Sequence, residues 1–295
     1  MDFRLRVFLA VASNLNFTKA ALELHISQPA ISKHIQELEG AYGVQLFERS
    51  GGRIALTTAG QIFRTHAIEI IESYRALGLE MNLLTGRFSG TLRIGASTTI
   101  AQYVLPPLVA RFIERFSDIR LTMLSGNSEQ IERALVDRAI DLGLVESASR
   151  HAGLRYAAMA DDRLVMIVSA RSKLKERITI DELRILPLVV RESGSGTLEV
   201  IENKLAEHNV SLSEMNILLQ LGSTESIKVF LSNCPSACAI VSRAALNLPF
   251  DNELFRIIEV DDVNFDRQFS FVNIIGSKNE LVEKFMWFVS DNYKL

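Results

Sequence analysis

Side chains able to read a nucleic-acid duplex gather on one face of a short stretch near the N-terminus. Ser27-Gln28-Pro29-Ala30-Ile31-Ser32-Lys33-His34-Ile35 reads as the opening of a helix. Ser27 is a good cap, and Pro29 is tolerated in a first turn whose N–H groups lack intrahelical partners. Ile31, Ile35 and Leu38 recur at i, i+4 and i+7 and form the stripe to be buried. The outward face keeps Gln28, Ser32, Lys33 and Gln36. A Gln side chain bonds adenine in bidentate fashion and Lys reaches guanine or phosphate. Ser hydroxyls and the free amides around Ser27, Pro29 and Ala30 hold phosphate oxygens.

These residues need a partner element to hold them out. Thr18 reads as the cap of a preceding helix, with Ala20, Ala21 and Leu24 on one face, and that run stops at His25-Ile26. Two short helices joined in this way form a helix-turn-helix, and Thr18 joins the residues expected to touch DNA. Residues 43–57 then read as two short strands around Ser50-Gly51-Gly52, a wing with Arg49 and Arg53 near its tip, suited to backbone phosphate or a minor groove. On residue chemistry alone, a two-helix packing unit followed by an unrelated hairpin is the alternative.

The order of motifs goes further. Asn16-Phe17-Thr18-Lys19-Ala20-Ala21, Ser27-Gln28-Pro29-Ala30-Ile31-Ser32, Leu46-Phe47-Glu48-Arg49 and Leu56-Thr57-Thr58-Ala59-Gly60 resemble, in sequence and succession, the LysR-type transcriptional regulators. One departure lies in the wing, where Gly52 and Ala55 stand at positions that are basic in many members. The resemblance implies weaker wing–phosphate contact here.

Composition constrains how DNA would be held. The 295 residues leave room for two or three domains, and 48% hydrophobic with 23% charged residues is ordinary for a globular chain. The formal net charge of −3 argues against bulk coating of nucleic acid. Residues 1–58 carry six Lys or Arg against five Asp or Glu, so affinity depends on where the positive charges sit and on two or more copies acting together. The N-terminus lacks the apolar core of a signal peptide, and no apolar run approaches a membrane span; a cytoplasmic protein is expected. The two cysteines, Cys234 and Cys238, fit a reducing compartment.

From Ala59 to Arg87 one long helix is expected. Phe63, Ala67, Ile70, Tyr74, Leu77, Met81 and Leu84 recur at alternating spacings of four and three, a heptad seam that reads as a dimerisation surface. Packing of the seam on the chain's own C-terminal domain is the alternative. A dimer would present the reading helix twice, to a site with interrupted two-fold symmetry. Thr85-Gly86-Arg87-Phe88-Ser89-Gly90 marks a hinge.

Strand and helix patterns then alternate. Thr91–Ala96, Leu121–Leu124 and Leu142–Val145 read as strands, with helices between them, the second over Glu129–Arg138. A unit of similar style follows Asp161-Asp162: strands Leu164–Ser169, Leu188–Arg191, Ile217–Leu221 and Cys238–Val241, and helices at Thr197–His208 and around Ile227–Leu231. The chain returns near Phe265–Arg267 and closes with Gln268–Ile275 and a helix over Glu280–Asp291. Two α/β lobes joined by two crossovers enclose a cleft, and ligands in such folds lie at the carboxyl ends of the strands. The strand-end turns there are rich in hydroxyls and glycine: Ser97, Thr98, Thr99, Gly126, Asn127 and Glu146 in the first lobe; Ser193, Ser195, Gly196, Thr197, Thr224 and Ser242 in the second. Such turns make anion-friendly nests, and equally they cap helices.

Arg191-Glu192-Ser193-Gly194-Ser195-Gly196-Thr197 and Gly222-Ser223-Thr224-Glu225-Ser226-Ile227-Lys228 resemble effector-domain signatures of the same family, most closely the branch of CysL-type and Calvin-cycle regulators. The resemblance implies an α/β architecture of three parts. A winged helix-turn-helix occupies 1–58, a linker and dimerisation helix with its hinge 59–88, and a two-lobed, periplasmic-binding-protein-like effector domain 89–295. Lobe I spans about 89–161 and 267–295, lobe II about 162–266. It also implies a small, anionic co-inducer between the lobes, with Thr98, Ser195, Thr197 and Thr224 as donors, a dimer assembled further into a tetramer, and RNA polymerase as a partner if the protein activates. Pro235-Ser236-Ala237 replaces a Gly-x-Gly turn common in the family, and a narrower cleft is expected from that change.

No cofactor or metal is expected. The five histidines are scattered, with no His-Glu-x-x-His, no Gly-x-x-x-x-Gly-Lys and no Gly-x-Ser-x-Gly, so an enzyme is disfavoured. A transporter's binding protein needs an export signal and no helix-turn-helix. A redox pair of Cys234 and Cys238 is disfavoured too, since Cys238 opens an apolar strand and Pro235 restrains the geometry between them.

Overall fold

The computed structural model describes residues 2–50, 53–84, 89–146, 148–246, 251–261 and 263–293. The chain divides into two units between residues 87 and 88.

In the first unit, α1 (Phe3–Asn14), α2 (Phe17–Leu24) and α3 (Gln28–Tyr42) are followed by β1 (Phe47–Ser50), β2 (Arg53–Leu56) and α4 (Thr58–Leu84). Helix α2 starts one residue before the expected cap. Asn16, not Thr18, accepts the hydrogen bond from Lys19 N at 3.0 Å, which makes Phe17 the first helical residue and buries its ring. Asn and Thr both cap well, and the tie is decided by the ring that must turn inward. Ser27 caps α3 as expected, accepting from Ala30 N, and Pro29 lies in the first turn. Ile31, Ile35 and Leu38 are buried. They face a core in which Phe8 meets Phe63 and Phe47 with ring centroids 4.6 and 5.2 Å apart.

Strands β1 and β2 pair antiparallel from Phe47↔Leu56 to Ser50↔Arg53. The Gly51-Gly52 turn lies outside the described residues, as do the side chains of Arg49 and Arg53. The wing is tied down at its base. Glu39 Oε1 accepts from the amides of Leu46 (2.8 Å) and Phe47 (3.3 Å), so one of the acids in the unfavourable charge count is used internally. Thr57 Oγ1 donates to Gln45 O at 2.7 Å and accepts from Gly60 N at 2.9 Å. A Cβ on Gly60 would lie 2.0 Å from Leu46 O, so only glycine lets the start of α4 approach the wing this closely.

The long helix is covered over only part of its seam. Phe63 packs against Phe8 and Tyr42, and Ala67 is buried with Ile71 in the core of the first unit. The seam expected to run from Phe63 therefore loses its first two positions to intramolecular packing. Ile70, Tyr74, Leu77 and Met81 are 43–50% exposed. The side chain of Leu84 and the hinge residues 85–88 lie outside the described residues.

In the second unit, β3 (Gly90–Ser97) runs into a π-helical turn (Ile100–Val104) and α5 (Leu105–Arg115). Then come β4 (Ile119–Gly126), α6 (Ser128–Val136), β5 (Leu142–Val145), β6 (Leu154–Ser169), β7 (Arg177–Ile178), α7 (Ile180–Ile185) and β8 (Leu188–Arg191). The chain continues through α8 (Gly196–Glu207), β9 (Ile217–Leu221), α9 (Thr224–Asn233), β10 (Cys238–Ser242) and α10 (Asp251–Leu254). It closes with β11 (Phe255–Val260), β12 (Asp266–Ile274) and α11 (Glu280–Asn292). The described strands follow the order β4-β3-β5-β12-β6-β10-β8-β9, with β11 also on β6 and β7 on β11. Strands β4, β3 and β5 are parallel, as are β10, β8 and β9. Each parallel set forms the sheet of one lobe.

The strand expected to begin at Leu164 begins earlier, and β6 is continuous from Leu154. Its first part pairs antiparallel with β12, from Leu154↔Ile274 to Arg163↔Asp266, and its second with β10, from Leu164↔Ser242 to Val168↔Cys238. The two crossovers are thus one hydrogen-bonded ribbon. In lobe I, α11 packs on α5 through Phe112, whose ring lies 5.0 and 5.3 Å from those of Phe285 and Phe288.

Candidate functional site

On the first unit, the outward face of α3 carries the residues singled out for duplex reading. Ser27, Gln28, Pro29, Lys33 and Gln36 are exposed and Ala30 and Ser32 half-buried; Gln28 Nε2 donates to Ser32 Oγ at 2.9 Å. This bond orients the amide along the helix and leaves its carbonyl oxygen free to face a base edge. Thr18, no longer needed as a cap, is exposed near the start of α2. No acid of α3 precedes Glu37, so its first two turns present polar and positive groups beside free helix amides.

The second unit gathers its polar turns at the strand ends between the lobes. Ser97, Thr99, Asn127, Ser128, Glu146, Arg191, Ser195, Thr197, Thr224 and Ser242 are all buried. The lobes touch across this line: Asn127 Nδ2 donates to Ser193 O at 3.2 Å, and Glu129 N to Gly194 O at 3.2 Å. A Cβ on Gly196 would stand 2.8 Å from Ser128 Oγ and 2.9 Å from Glu146 Cγ, so lobe II brings bare backbone against lobe I there. On another side, the Tyr103 hydroxyl of lobe I donates to Glu225 Oε1 of lobe II at 2.5 Å. Burial first, and then this bond to a carboxylate, pushes the phenol up, so Tyr103 remains a donor. Glu225 also meets buried Lys228, whose Nζ reaches Ala245 O and Asp251 at 2.9 Å.

Two buried guanidinium groups bound the same region. Arg191, at the end of β8, donates through Nε and Nη2 to Glu192 at 2.8 and 2.9 Å. Burial pushes the Glu192 carboxyl up, but these bonds outweigh it and hold the group below the usual range. Arg267, where β12 begins, bonds Asp162 through Nε (2.6 Å) and Thr197 Oγ1 through Nη1 (2.9 Å), and lies 3.6 Å from Glu146 Oε1. Ser242 Oγ donates to the other Asp162 oxygen at 2.8 Å. Ser242 and Thr197 are thus already engaged in fixing the crossover ribbon, and Asn127 caps α6 by bonding Gln130 N.

What is left over is concentrated along this line of strand ends. All but two of the buried side-chain atoms without a hydrogen-bond partner among the described residues belong here: Thr98 Oγ1, Thr99 Oγ1, Ser128 Oγ, Glu146 Oε2, Arg191 Nη1, Ser195 Oγ and Arg267 Nη2. Buried polar atoms are costly unless paired, so this concentration marks a place for polar matter to be enclosed. Thr98, Thr99, Ser195 and Glu146 are among the turn residues expected from the sequence, and neither arginine is. Arg191 stands directly before the hydroxyl-rich turn, a signal that was available. Arg267 is joined to its partners over 70 and 105 residues, and no local pattern announces that. Gly126 is half-buried at the end of β4, and Ser193 is exposed, offering its carbonyl.

One expectation needs correction. Pro235-Ser236-Ala237 does not border the cleft: it precedes Cys238, and the cleft lies at Ser242, the other end of β10. Pro235 and Ser236 instead line a separate 380 Å³ pocket with Arg171 and Lys173. The cysteines have separate neighbours as well, Cys234 facing Ser236 Oγ and Cys238 facing Pro187 O, both at 3.6 Å. Burial pushes the Cys238 thiol up to about 12.

A helix-turn-helix unit with a wing, followed by a two-lobed domain with a polar cleft, defines a ligand-responsive DNA-binding regulator. The chain belongs to the LysR family: residues 3–61 match the bacterial regulatory helix-turn-helix protein, lysR family, and residues 85–291 the LysR substrate binding domain. It is 31% identical to a protein described as a probable RuBisCO transcriptional regulator of Thalassiosira pseudonana, over 91% of this chain and 90% of that one. The Synechocystis PCC6803 CcmR regulatory domain in complex with 2-PG is 26% identical with a TM-score of 0.63, covering 69% of this chain and 97% of that one. Full-length CbnR complexed with its target DNA shares the fold at 22% identity and a TM-score of 0.67, over 99% and 100% of the two chains. The family is one of transcriptional regulators, not enzymes. Among the described residues, no helix is long and apolar enough to cross a membrane.

Proposed function

We propose that this regulator reads an interrupted two-fold DNA site through α3, presented twice by a dimer formed on α4, and that a small acid enclosed between the lobes controls the outcome. The observation that carries the effector half is the set of unpartnered buried atoms at the strand ends, with two guanidinium groups and four hydroxyls among the groups that line it. Arg191 and Arg267 favour an acidic ligand, in line with the 2-PG complex of the CcmR domain. Thr98, Thr99, Ser128 and Ser195 supply hydroxyls, and the backbone around Gly126, Ser193, Gly196 and Thr224 completes the lining. The exposed run Ile70, Tyr74, Leu77 and Met81 supports the dimer, and family resemblance supports a tetramer, RNA polymerase as the partner in activation, and work in the cytoplasm.

DNA bending or polymerase contact changes as the lobes respond to ligand. A gel shift and footprint on the promoter beside its own gene, across a panel of small acids, tests this reading. A footprint that shortens or shifts with one acid is expected. An unchanged footprint and unchanged affinity at saturation overturn the allosteric half; indifference to the promoter in dilute salt overturns the whole.

A further inference from the structure

We infer that Glu146 sets the chemical class of the effector: a small acid carrying a hydrogen-bond donor, a hydroxyl or an ammonium, on the atom next to its acidic group. The inference rests on the cleft being the effector site.

Glu146 is 2% exposed, and its Oε2 has no partner. Its other oxygen stands 3.6 Å from Arg267 Nη1, but that guanidinium already holds Asp162 at 2.6 Å and Thr197 at 2.9 Å. By formal charge, two carboxylates share one guanidinium. A ligand built only of oxyanions meets this corner with repulsion and leaves Oε2 unpaired, and both effects disfavour it.

The remaining lining does not discriminate in the same way. Ser and Thr hydroxyls donate or accept as required, so they suit plain and hydroxylated acids alike. Arg191 Nη1 and Arg267 Nη2 can only donate, and they take the acidic oxygens. Oε2 faces the opposite demand and is met by a donor.

The two demands lie close together. Gly196 at the start of α8 touches both Ser128 and the Glu146 stem, and its neighbour Thr197 is bonded to Arg267. A 250 Å³ pocket on the same flank is lined by Glu146 and Arg267 with Lys204, Gln268 and Ser270. Arg267 Nη1 stands 3.6 Å from Glu146 Oε1, so an acid on this guanidinium and a donor on Oε2 fit neighbouring atoms of one ligand. Sites built to pair a ligand hydroxyl reject the analogue without it far more strongly than apolar pockets reject a missing methylene.

The test uses the full chain at neutral pH and measures binding by calorimetry and by melting temperature. Glycolate and lactate are compared with acetate and propionate, and glycine and alanine tell an ammonium from a hydroxyl. The wild type is expected to bind the better donor-bearing series at least tenfold more tightly than the plain acids. Glu146→Leu, of similar reach but with no acceptor, is expected to bring that ratio near one. Glu146→Asp, still an acceptor, keeps the preference at lower affinity. Equal binding of both series by the wild type, or a ratio that survives in Glu146→Leu, overturns the role of Glu146 and leaves the cleft as effector site. Should Glu146→Leu not fold, the wild-type ratio decides by itself. If no acid binds the wild type or any variant, the cleft reading fails and this inference with it.

Discussion

At Gly60 a single hydrogen separates a tight contact from a clash. Because a methyl group there would meet Leu46 O at 2.0 Å, Gly60→Ala is expected to force α4 away from the wing. A loss of about 1–3 kcal/mol, the usual cost of overpacking, should appear as a lower melting temperature of the first unit and weaker promoter binding. Glu132 is a different case. Burial raises its carboxyl above the ordinary value, despite a hydrogen bond from Tyr156 at 2.9 Å. A carboxyl raised on folding contributes stability below its unfolded value and loses it as pH climbs through the folded one, so its ionised form weighs against the fold at neutral pH. Glu132→Gln keeps an acceptor for Tyr156 and should raise the melting temperature at pH 7 more than at pH 4. An equal gain at both would show that charge is not the cause. For the α3 face, Gln28→Ala or Lys33→Ala should cost roughly 1–3 kcal/mol of specific binding if these side chains read bases. Equal losses on cognate and random DNA would reassign them to phosphate. Legibility at this scale followed sequence distance. The cap at Ser27 and the stripe of Ile31, Ile35 and Leu38 were readable from neighbours. The knot of Glu146, Asp162, Thr197, Ser242 and Arg267 was not, because its members meet only after the chain folds.

Among the elements, α4 and β6 show opposite errors for related reasons. The heptad spacing on α4 is real, yet periodicity records only that a stripe is covered, not by what. Phe63 and Ala67 are covered by the helix's own unit, and Ile70, Tyr74, Leu77 and Met81 are left open. Ile70→Asp with Leu77→Asp is therefore expected to give a folded monomer by light scattering with little affinity for a two-fold site. Phe63→Asp should instead unfold the first unit. If the double variant stays dimeric, the seam is not the interface. Only the second half of β6, Leu164–Ser169, is legible in the sequence, where Asp161-Asp162 reads as the boundary before lobe II. The backbone of residues 160–163 is in fact paired with Asp266–Phe269, and the charges sit where the strand passes from one lobe to the other. Charge in the middle of a strand misleads when its partners are as remote as Arg267.

At the scale of the whole molecule, coupling between ligand and DNA must be mutual. If an acid alters promoter affinity by some factor, saturating promoter DNA alters affinity for that acid by the same factor. Calorimetric titration of the acid with and without a promoter duplex checks this, and unequal factors would mean that the two measurements report different assemblies. The order in which the domain is strung has a further consequence, felt before any effector arrives. Lobe II is an insertion, so β12, which lies between β5 and β6, and α11, which covers Phe112, are made only after about a hundred more residues have been translated. A ribosome pausing inside lobe II would hold out an apolar β5 with one edge unpaired, a surface open to sticking or to rescue by chaperones. Loss of the last thirty residues should therefore leave the duplex-reading unit intact and turn the rest of the polypeptide into aggregate.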